Sequence, residues 1–290
     1  MFKLYAGLVR DGKWYNHAKI LDVIKGGMFA IMGGNNIDTG ADKVLKLLKA
    51  SVHYLYTKDG EEYKLNELDY LDFLFIEGWK VGREVMKKFS KTQQPVFSEY
   101  FFCPRCSTEG DERYTEVRES WDKLIIEGLI DENYIEDPED LKYEITLEVG
   151  IELPQSEKFQ SGIFKTLTRK YLTIGDQLSI YDTPECIGDY SRQLQAKWDK
   201  EIVAIKGLGE KDLNHYKRRL SDSFCERFLV HQEDIDIMAS AGMTLGIDAR
   251  DRVVTCKSCH HSVGGSLDFT NFFAFLLPKK LNPVMQQSIK

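Results

Sequence analysis

The chain has 290 residues, 42% of them hydrophobic and 29% charged, and a formal net charge of -7 at pH 7. This composition is typical of a globular protein, and the length is sufficient for two modest domains or one large domain. An acidic chain repels a phosphate backbone, so nucleic-acid binding is excluded unless basic residues cluster locally. The densest basic run, Lys217-Arg218-Arg219, is short and is followed by Asp222 and Glu226, which is typical of a solvated helix face.

Secretion and membrane insertion are not expected. Residues 1–10 lack the charged start, apolar stretch and cleavage site of a signal peptide. The longest apolar runs, such as Phe272–Leu277, are too short to cross a bilayer. Six cysteines in such a chain argue against a disulfide framework. We therefore expect a protein that is made in a reducing cytoplasm and has no membrane partner.

The first predicted elements are short strands joined by glycine-rich turns, within residues 1–40. The stretch Gly33-Gly34-Asn35-Asn36 is similar to a nucleotide-binding loop, but the sequence contains neither Gly-x-Gly-x-x-Gly nor Gly-Lys-Ser/Thr. Gly and Asn adopt positive φ at low cost, which favours the interpretation as turns. A helix is predicted from Asp42, because the aliphatic residues between Val44 and Leu48 are spaced for one buried face.

The next elements lead to the first cysteine pair. A strand over Ser51–Tyr56 is predicted to end at a turn, and one or two helices follow over Leu65–Lys88. The first pair then stands in Phe101-Phe102-Cys103-Pro104-Arg105-Cys106. Beyond it, a charged amphipathic helix is predicted over Tyr114–Gly128, with a buried stripe at Val117, Trp121, Leu124 and Ile125.

The second half begins after an acidic segment, Asn133–Leu141, which is predicted to be a linker because it contains Pro138 and few apolar residues. Tyr143–Leu153 alternates apolar and polar residues and is the clearest strand. The remaining predicted elements are a strand or turn near Phe164–Thr168, a strand over Trp198–Ile205, helices over Asp212–Phe228 and Glu233–Ala241, and a strand at Val253–Cys256.

These elements predict an α+β fold of two linked modules, each with helices followed by a Cys-x-x-Cys knuckle of the zinc-ribbon kind. An N-terminal helical module is assigned to residues 1–132, a linker to 133–142, and a C-terminal α+β module to 143–290. A helix precedes each cysteine pair, over Asp69–Gly82 in the first half and Asp234–Gly246 in the second. This common order of elements leads to the hypothesis of an internal duplication.

The pairs Cys103/Cys106 and Cys256/Cys259 are the candidate metal ligands. Zinc takes four soft or borderline ligands at tetrahedral angles, and one Cys-x-x-Cys turn supplies two thiolates. Neither half contains a second pair nearby, and Cys106 and Cys256 are separated by 150 residues. We expect the two pairs to meet in one four-thiolate zinc site with a structural purpose.

Other arrangements remain open. The second pair can be completed by His260 or His261, or each pair can lack a metal. Four thiolates also suit an iron–sulfur cluster. A redox pair is disfavoured, because the strand, active-site turn and helix of thioredoxin-like proteins are not predicted around either pair. Cys186 and Cys225 have no partner at ligand spacing and are predicted to be buried free cysteines.

Catalytic activity is not expected. No His-Glu-x-x-His or Gly-x-Ser-x-Gly motif occurs, and His17, His53, His215 and His231 are scattered singly. The carboxylates of Glu132–Asp140 lie around the predicted linker, where no acid–base pair can be singled out. A zinc enzyme needs an open coordination position, which a site lined only by cysteines does not offer.

The C-terminal half resembles a known family over Tyr143–Leu277. The stretches that carry the resemblance are Glu152-Leu153-Pro154, Leu167-Thr168, Thr173-Ile174-Gly175-Asp176, Asp248–Cys259 and Leu267–Phe273. Their layout is a β-rich opening, a helical middle and a late Cys-x-x-Cys followed by an aromatic stretch. It is similar to that of the baseplate-hub and tail-assembly proteins of T-even-like contractile-tailed bacteriophages.

The resemblance implies a virion or assembly protein with no chemistry of its own. Its partners are then other tail and baseplate proteins, and its location is the virion baseplate, after synthesis in the host cytoplasm. Four aromatic residues are candidate interface anchors, although core packing is the preferred interpretation for them: Phe269, Phe272, Phe273 and Phe275. The rival hypothesis is a zinc-ribbon nucleic-acid-binding phage factor for transcription or packaging, but basic residues around the cysteine pairs are few.

Overall fold

The structure is a computed structural model that describes residues 1–22, 40–89, 96–108, 114–183, 186–218, 223–241, 245–249 and 251–266. Within these ranges the chain forms nine α-helices, one 3-10 helix and thirteen strands, which pair in five small antiparallel sheets. The predicted α+β class is confirmed to this extent. None of the helices in these ranges combines the length and the apolar character that a bilayer span requires.

A four-stranded antiparallel sheet begins the fold. Its strands, in spatial order, are β1 (Phe2–Arg10), β2 (Lys13–Ala18), β3 (Tyr54–Tyr56) and β4 (Glu62–Lys64). The helices beside it are α1 (Gly40–Ser51), α2 (Asp69–Asp72) and α3 (Glu77–Phe89). Val44, Leu47 and Leu48 of α1 are fully buried, so the predicted apolar face of this helix is confirmed. The glycine-rich turns predicted between residues 23 and 39 lie outside the described residues.

The segment after α3 differs from the prediction. It consists of β5 (Val96–Phe102), β6 (Tyr114–Ser120), α4 (Trp121–Ile126) and β7 (Ile130–Asn133). The prediction of one helix over Tyr114–Gly128 is wrong, because its first seven residues pair with β5. The helix begins only after Ser120, whose side chain accepts the N–H of Lys123. Pairing with a distant strand outweighs a local helical spacing of apolar residues.

A three-stranded antiparallel sheet organises the second half. It contains β8 (Lys142–Leu153), β9 (Gly162–Lys170) and, after helices α5 (Ile174–Tyr181) and α6 (Tyr190–Glu201), β10 (Ile202–Ile205). The helices that follow are α7 (Glu210–Arg218), α8 (Phe224–Phe228) and α9 (Gln232–Ser240). The strand predicted over Tyr143–Leu153 is confirmed as β8, and its alternate residues are buried as its pattern requires.

Two predictions in this region are corrected. The strand expected over Trp198–Ile205 begins only at Ile202, because α6 continues to Glu201 from a well-capped start at Asp189. The single helix expected over Asp212–Phe228 is two helices, α7 and α8. Ser223 caps the second of them by accepting the N–H of Glu226.

The last described strands are β11 (Gly246–Ala249), β12 (Asp251–Thr255) and β13 (Ser262–Ser266). β12 and β13 pair with each other, whereas β11 pairs with β7. One hydrophobic cluster joins the first sheet, α1 and α3 to Cys103 and Cys256, and a second cluster joins β8, β9 and β10 to α6–α9. Both cysteine pairs therefore lie beside the core of the first half.

The predicted module boundaries are crossed by these contacts. Residues 1–132, expected to be helical, contain a four-stranded sheet and the β5–β6 pair as well as helices. Within the predicted linker 133–142, Ile135 is buried and its N–H donates to the carbonyl of Tyr5 at 2.7 Å. Because β11 pairs with β7 across this segment, the division into two linked modules stays a prediction.

Candidate metal centre

Each cysteine pair lies at the end of a strand of an antiparallel hairpin. Cys103 directly follows β5 and Cys256 directly follows β12. The N–H of Ser107 donates to the carbonyl of Cys103 at 3.1 Å, and the N–H of His260 donates to that of Cys256 at 3.0 Å. Both bonds join residues four positions apart, so each cysteine pair lies in a turn of the same kind.

The second turn ends in a left-handed residue. His260 has a φ of 58°, a conformation in which glycine is most favourable. The N–H of Cys256 donates to the carbonyl of His261 at 2.9 Å, which closes the β12–β13 hairpin. Both histidines are exposed and neither joins the group of neighbouring ligand atoms. The structure therefore brings together four cysteine sulfurs, without a histidine.

The four sulfurs meet in one place. The Sγ atoms of Cys103 and Cys259 are 3.7 Å apart, and those of Cys106 and Cys256 are 3.8 Å apart. All four sulfurs lie within 4.8 Å of one another. The prediction that the two distant pairs come together is confirmed, and the cluster is compatible with a metal site.

The cluster is enclosed on its inner side. Cys103 and Cys256 are buried, whereas Cys106 and Cys259 are half-buried. Phe101, Leu124 and Val263 belong to the same buried cluster. An apolar surrounding of this kind limits the access of water to the inner two sulfurs.

The thiols ionise unevenly. The N–H groups of Cys259 and Ser258 donate to the sulfur of Cys256, and these bonds lower its pKa to about 6 although burial opposes ionisation. The thiol of Cys106 hydrogen bonds with Cys259 and is desolvated, which raises its pKa to about 12. A divalent cation among the sulfurs favours the thiolate form of each.

The other two cysteines lie apart from this cluster. Cys186 and Cys225 are buried thiols, as predicted. Burial raises the pKa of Cys225 well above its ordinary value, and the negative charge of Asp199 raises it further. Because the thiolate is the reactive form, this cysteine is expected to be inert.

A cluster of buried charges surrounds Glu132, a residue that the sequence placed beside a linker. Its carboxylate accepts hydrogen bonds from the hydroxyl of Tyr5 at 2.7 Å and from Nη1 of Arg83 at 2.8 Å. Lys80 lies within 3.4 Å of the same carboxylate and donates to the hydroxyl of Tyr134. Burial opposes ionisation of Glu132, but the charges of Arg83 and Lys80 lower its pKa. We interpret the cluster as a structural ion pair.

Two further carboxylates, Glu77 and Asp234, are fully buried and were not singled out from the sequence. Each accepts three backbone N–H groups of a distant strand. Glu77 has a signal, because it is a lone acid in the apolar run Phe73–Val81. Asp234 has no comparable signal, since Glu233 and Asp236 flank it and both are exposed.

Comparison of the chain with protein-family models, with curated proteins and with solved structures gives no match.

Proposed function

We propose that the four cysteines bind one structural zinc ion, and that the chain is a structural or assembly component of a contractile phage tail baseplate. The observation that carries the metal site is the sulfur geometry. With zinc–sulfur bonds of about 2.3 Å, the edge of a tetrahedral site is about 3.8 Å. The sulfur–sulfur distances between the pairs, 3.7 and 3.8 Å, agree with this edge.

A single ion suits the site better than an iron–sulfur cluster. In a cluster, the cysteine sulfurs surround several iron atoms and bridging sulfides, so they lie further apart than they do around one ion. All four sulfurs here lie within 4.8 Å of one another. This spacing leaves room for one ion, and tetrahedral sulfur ligation favours zinc.

The proposed site is structural because its coordination is complete. Structural zinc sites have four protein ligands, whereas catalytic sites keep one position for water. Here the chain supplies four sulfurs from two hairpins. The ion ties the β5–β6 hairpin to the β12–β13 hairpin, and no enzymatic role is proposed.

The baseplate role is supported by the resemblance of Tyr143–Leu277 and by the surface beside the site. Phe102 and Tyr114 are 43% and 49% exposed, and their rings lie 5.7 Å apart. Val253 on the other hairpin is 70% exposed. Apolar and aromatic side chains on a rigid support suit contacts with neighbouring subunits. The proposed partners are other tail and baseplate proteins, and the proposed location is the virion.

The candidate anchors in the aromatic stretch, Phe269, Phe272, Phe273 and Phe275, lie outside the described residues.

Elemental analysis of the purified full-length chain tests the metal site. We expect one zinc ion per chain, lost entirely in Cys103→Ser and in Cys256→Ser because the two pairs share the ion. The matched control is Ser258→Ala, which changes an exposed residue inside the second turn and keeps all four thiols. A native protein without metal, or half of the metal remaining in either cysteine variant, would contradict the shared site.

The competing function is that of a nucleic-acid-binding factor. Four exposed residues near the cysteine pairs have basic side chains: Arg105, Lys257, His260 and His261. Binding through phosphate contacts weakens steeply between about 50 and about 200 mM salt. For an assembly component we expect no binding to duplex or single-stranded probes in fluorescence anisotropy. We also expect identified tail proteins to co-purify from infected cells throughout this range. Micromolar binding with a steep salt dependence overturns the assembly role.

A further inference from the structure

The two longest hairpins of the described chain contain the same bulge. In the first hairpin, Lys3 pairs with His17 and Leu8 with Tyr15, so β1 advances by five residues while β2 advances by two. In the second, five steps along β8, from Thr146 to Ile151, face two steps along β9. The three additional residues interrupt the ladder, so their N–H groups need other acceptors.

A buried carboxylate supplies these acceptors in both hairpins. Glu77 accepts the N–H groups of residues 5–7 at 3.0, 2.6 and 3.0 Å. Asp234 accepts those of residues 148–150 at 2.7, 3.1 and 2.8 Å. In each case one carboxylate oxygen accepts two N–H groups and the other accepts the third. Each acid also lies in the first turn of a helix, α3 or α9, where the helix dipole favours negative charge.

The residue types of the two bulges correspond at the first, fourth and last positions but differ at the second, where Tyr5 stands in one and Glu148 in the other. The segments are Leu4-Tyr5-Ala6-Gly7-Leu8 and Leu147-Glu148-Val149-Gly150-Ile151. The first and last residues of both segments are buried aliphatic residues. The glycines have φ values of 70° and 106°, which disfavour a side chain at either position.

The space around the two glycines also corresponds. A Cβ at Gly7 would lie 2.3 Å from the carbonyl oxygen of Tyr15, and one at Gly150 would lie 2.9 Å from that of Phe164. Tyr15 and Phe164 are the residues that face Leu8 and Ile151 directly after the bulges. In both hairpins, the carbonyl at the corresponding position of the second strand therefore disfavours a side chain at the glycine.

The elements after the two hairpins follow the same order. Helical structure comes first, and a strand then pairs with the second strand of the hairpin, as β3 does with β2 and β10 with β9. Further helices follow, of which α3 and α9 carry the buried acid. A hairpin with a Cys-x-x-Cys turn then follows in each half, directly in the first and after β11 in the second, and β4 of the first half has no counterpart among the described residues of the second. The correspondence thus extends from the bulge to the metal centre.

We propose that residues 2–120 and 145–266 are two copies of one structural unit, and that the metal centre is the joint between them. The joint rests on the proposed zinc site, whereas the duplication rests on the hairpins, their acids and the order of elements. The two devices have separate roles. Each carboxylate stabilises its own copy without metal, while the metal orders the strands β5, β6, β12 and β13 where the copies meet.

Hydrogen exchange on the full-length chain, resolved to single amides, tests the duplication. Glu77→Gln is expected to lower the protection of amides 5–7 at least about tenfold, because an acceptor oxygen becomes a donor. Asp234→Asn is expected to do the same for amides 148–150, and each variant should leave the other bulge unchanged. The controls are the exposed carboxylates of the same types, Glu67→Gln and Asp236→Asn.

The duplication into two self-contained units is overturned if one acid variant lowers protection in both bulges. It is also overturned if neither variant lowers the protection of its own bulge. Wild-type protein treated with a zinc chelator provides a second measurement if either variant fails to fold. The strands β5, β6, β12 and β13 should then lose protection, while both bulges keep theirs within about threefold. The proposed joint is overturned if the bulges lose protection on chelation, or if β5, β6, β12 and β13 keep theirs.

The zinc content of the same samples separates the two proposals. A native chain without zinc contradicts the metal site and the joint, while the acid variants still decide the duplication. If the chain contains one zinc ion but either acid variant lowers protection in both bulges, the metal site stands and the duplication is contradicted.

Discussion

The hairpins β1–β2 and β8–β9 contain the same bulge in different surroundings. In the first, residues 4–8 are all buried, whereas in the second Glu148 is exposed and Val149 is half-buried. The same carboxylate arrangement nevertheless occurs in both. An unpaired buried N–H costs about 1 to 3 kcal/mol, so a bulge with three such groups is strongly destabilised without an acceptor. The buried acid and the left-handed glycine, rather than the burial of neighbouring side chains, are what these bulges have in common.

The bulge carbonyls show where the surroundings differ. The carbonyl of Ala6 accepts the indole N–H of the half-buried Trp14 at 2.6 Å. The carbonyl of Glu148 accepts a hydrogen bond of 2.6 Å from Nζ of Lys165, and this bond lies at the surface. The first hairpin is also connected to the buried charge cluster, because Tyr5 donates to Glu132. We therefore expect changes in the first hairpin to cost more than equivalent changes in the second.

The largest effect is expected for Gly7→Ala. The new Cβ would combine a positive φ with a contact of 2.3 Å to a backbone oxygen that cannot rotate away, so the free energy of unfolding should fall by about 4 kcal/mol. Gly12→Ala is the matched control, because Gly12 has a φ of 72° and no atom within 4 Å of its Cβ position. It should cost about 1 kcal/mol. Equal losses for the two variants in urea denaturation would show that the close approach is unimportant.

A loss of about 3 kcal/mol is expected for Glu132→Gln, because the buried side chains of Arg83 and Lys80 would lose the carboxylate that they share. This loss should depend on pH. The folded-state pKa of Glu132 lies below its ordinary value of 4.5, so its stabilisation is present above that pH and disappears as the pH falls through the folded-state pKa. Denaturation of wild type and variant at several pH values should show the difference narrowing below about pH 4.5. A difference that is constant with pH contradicts an ionised Glu132.

The smallest of these losses, about 2 kcal/mol, is expected for Gly150→Ala. Its Cβ would approach the carbonyl of Phe164 to 2.9 Å, and its other close neighbours are side-chain atoms of Ile163 and Lys165, which can move. Glu148→Ala, at an exposed position of the same bulge, should change stability by no more than about 0.5 kcal/mol. If Gly150→Ala costs as much as Gly7→Ala, the surroundings of the two bulges do not matter, and the comparison fails.

The candidate site could be predicted from the sequence because its signal is local. Each Cys-x-x-Cys turn indicates two ligands, and the demand for four ligands selects the only other such pair in the sequence, 150 residues away. The strand β8 could also be predicted, since alternation over Tyr143–Leu153 is a property of that segment alone.

The remaining features depend on partners that are distant in the sequence. Tyr114–Ser120 has a helical spacing of apolar residues but becomes a strand because β5 offers it a ladder. Asp234 is distinguished from Asp236 only by the bulge, 84 to 86 residues earlier, that its carboxylate contacts. The strand β4 was not predicted for a related reason, because a three-residue strand has little pattern of its own.

The distance between the two cysteine pairs determines when during folding the ion can bind. In an ordinary zinc ribbon the pairs are close in sequence, and an unfolded chain can gather all four thiolates early. Here the pairs are connected through 150 residues or more, and closing a loop of that length in an unfolded chain costs about 5 kcal/mol of entropy. The two hairpin turns must therefore be brought together by the surrounding fold before one ion can engage both. At the proposed zinc site the metal would therefore complete folding instead of initiating it.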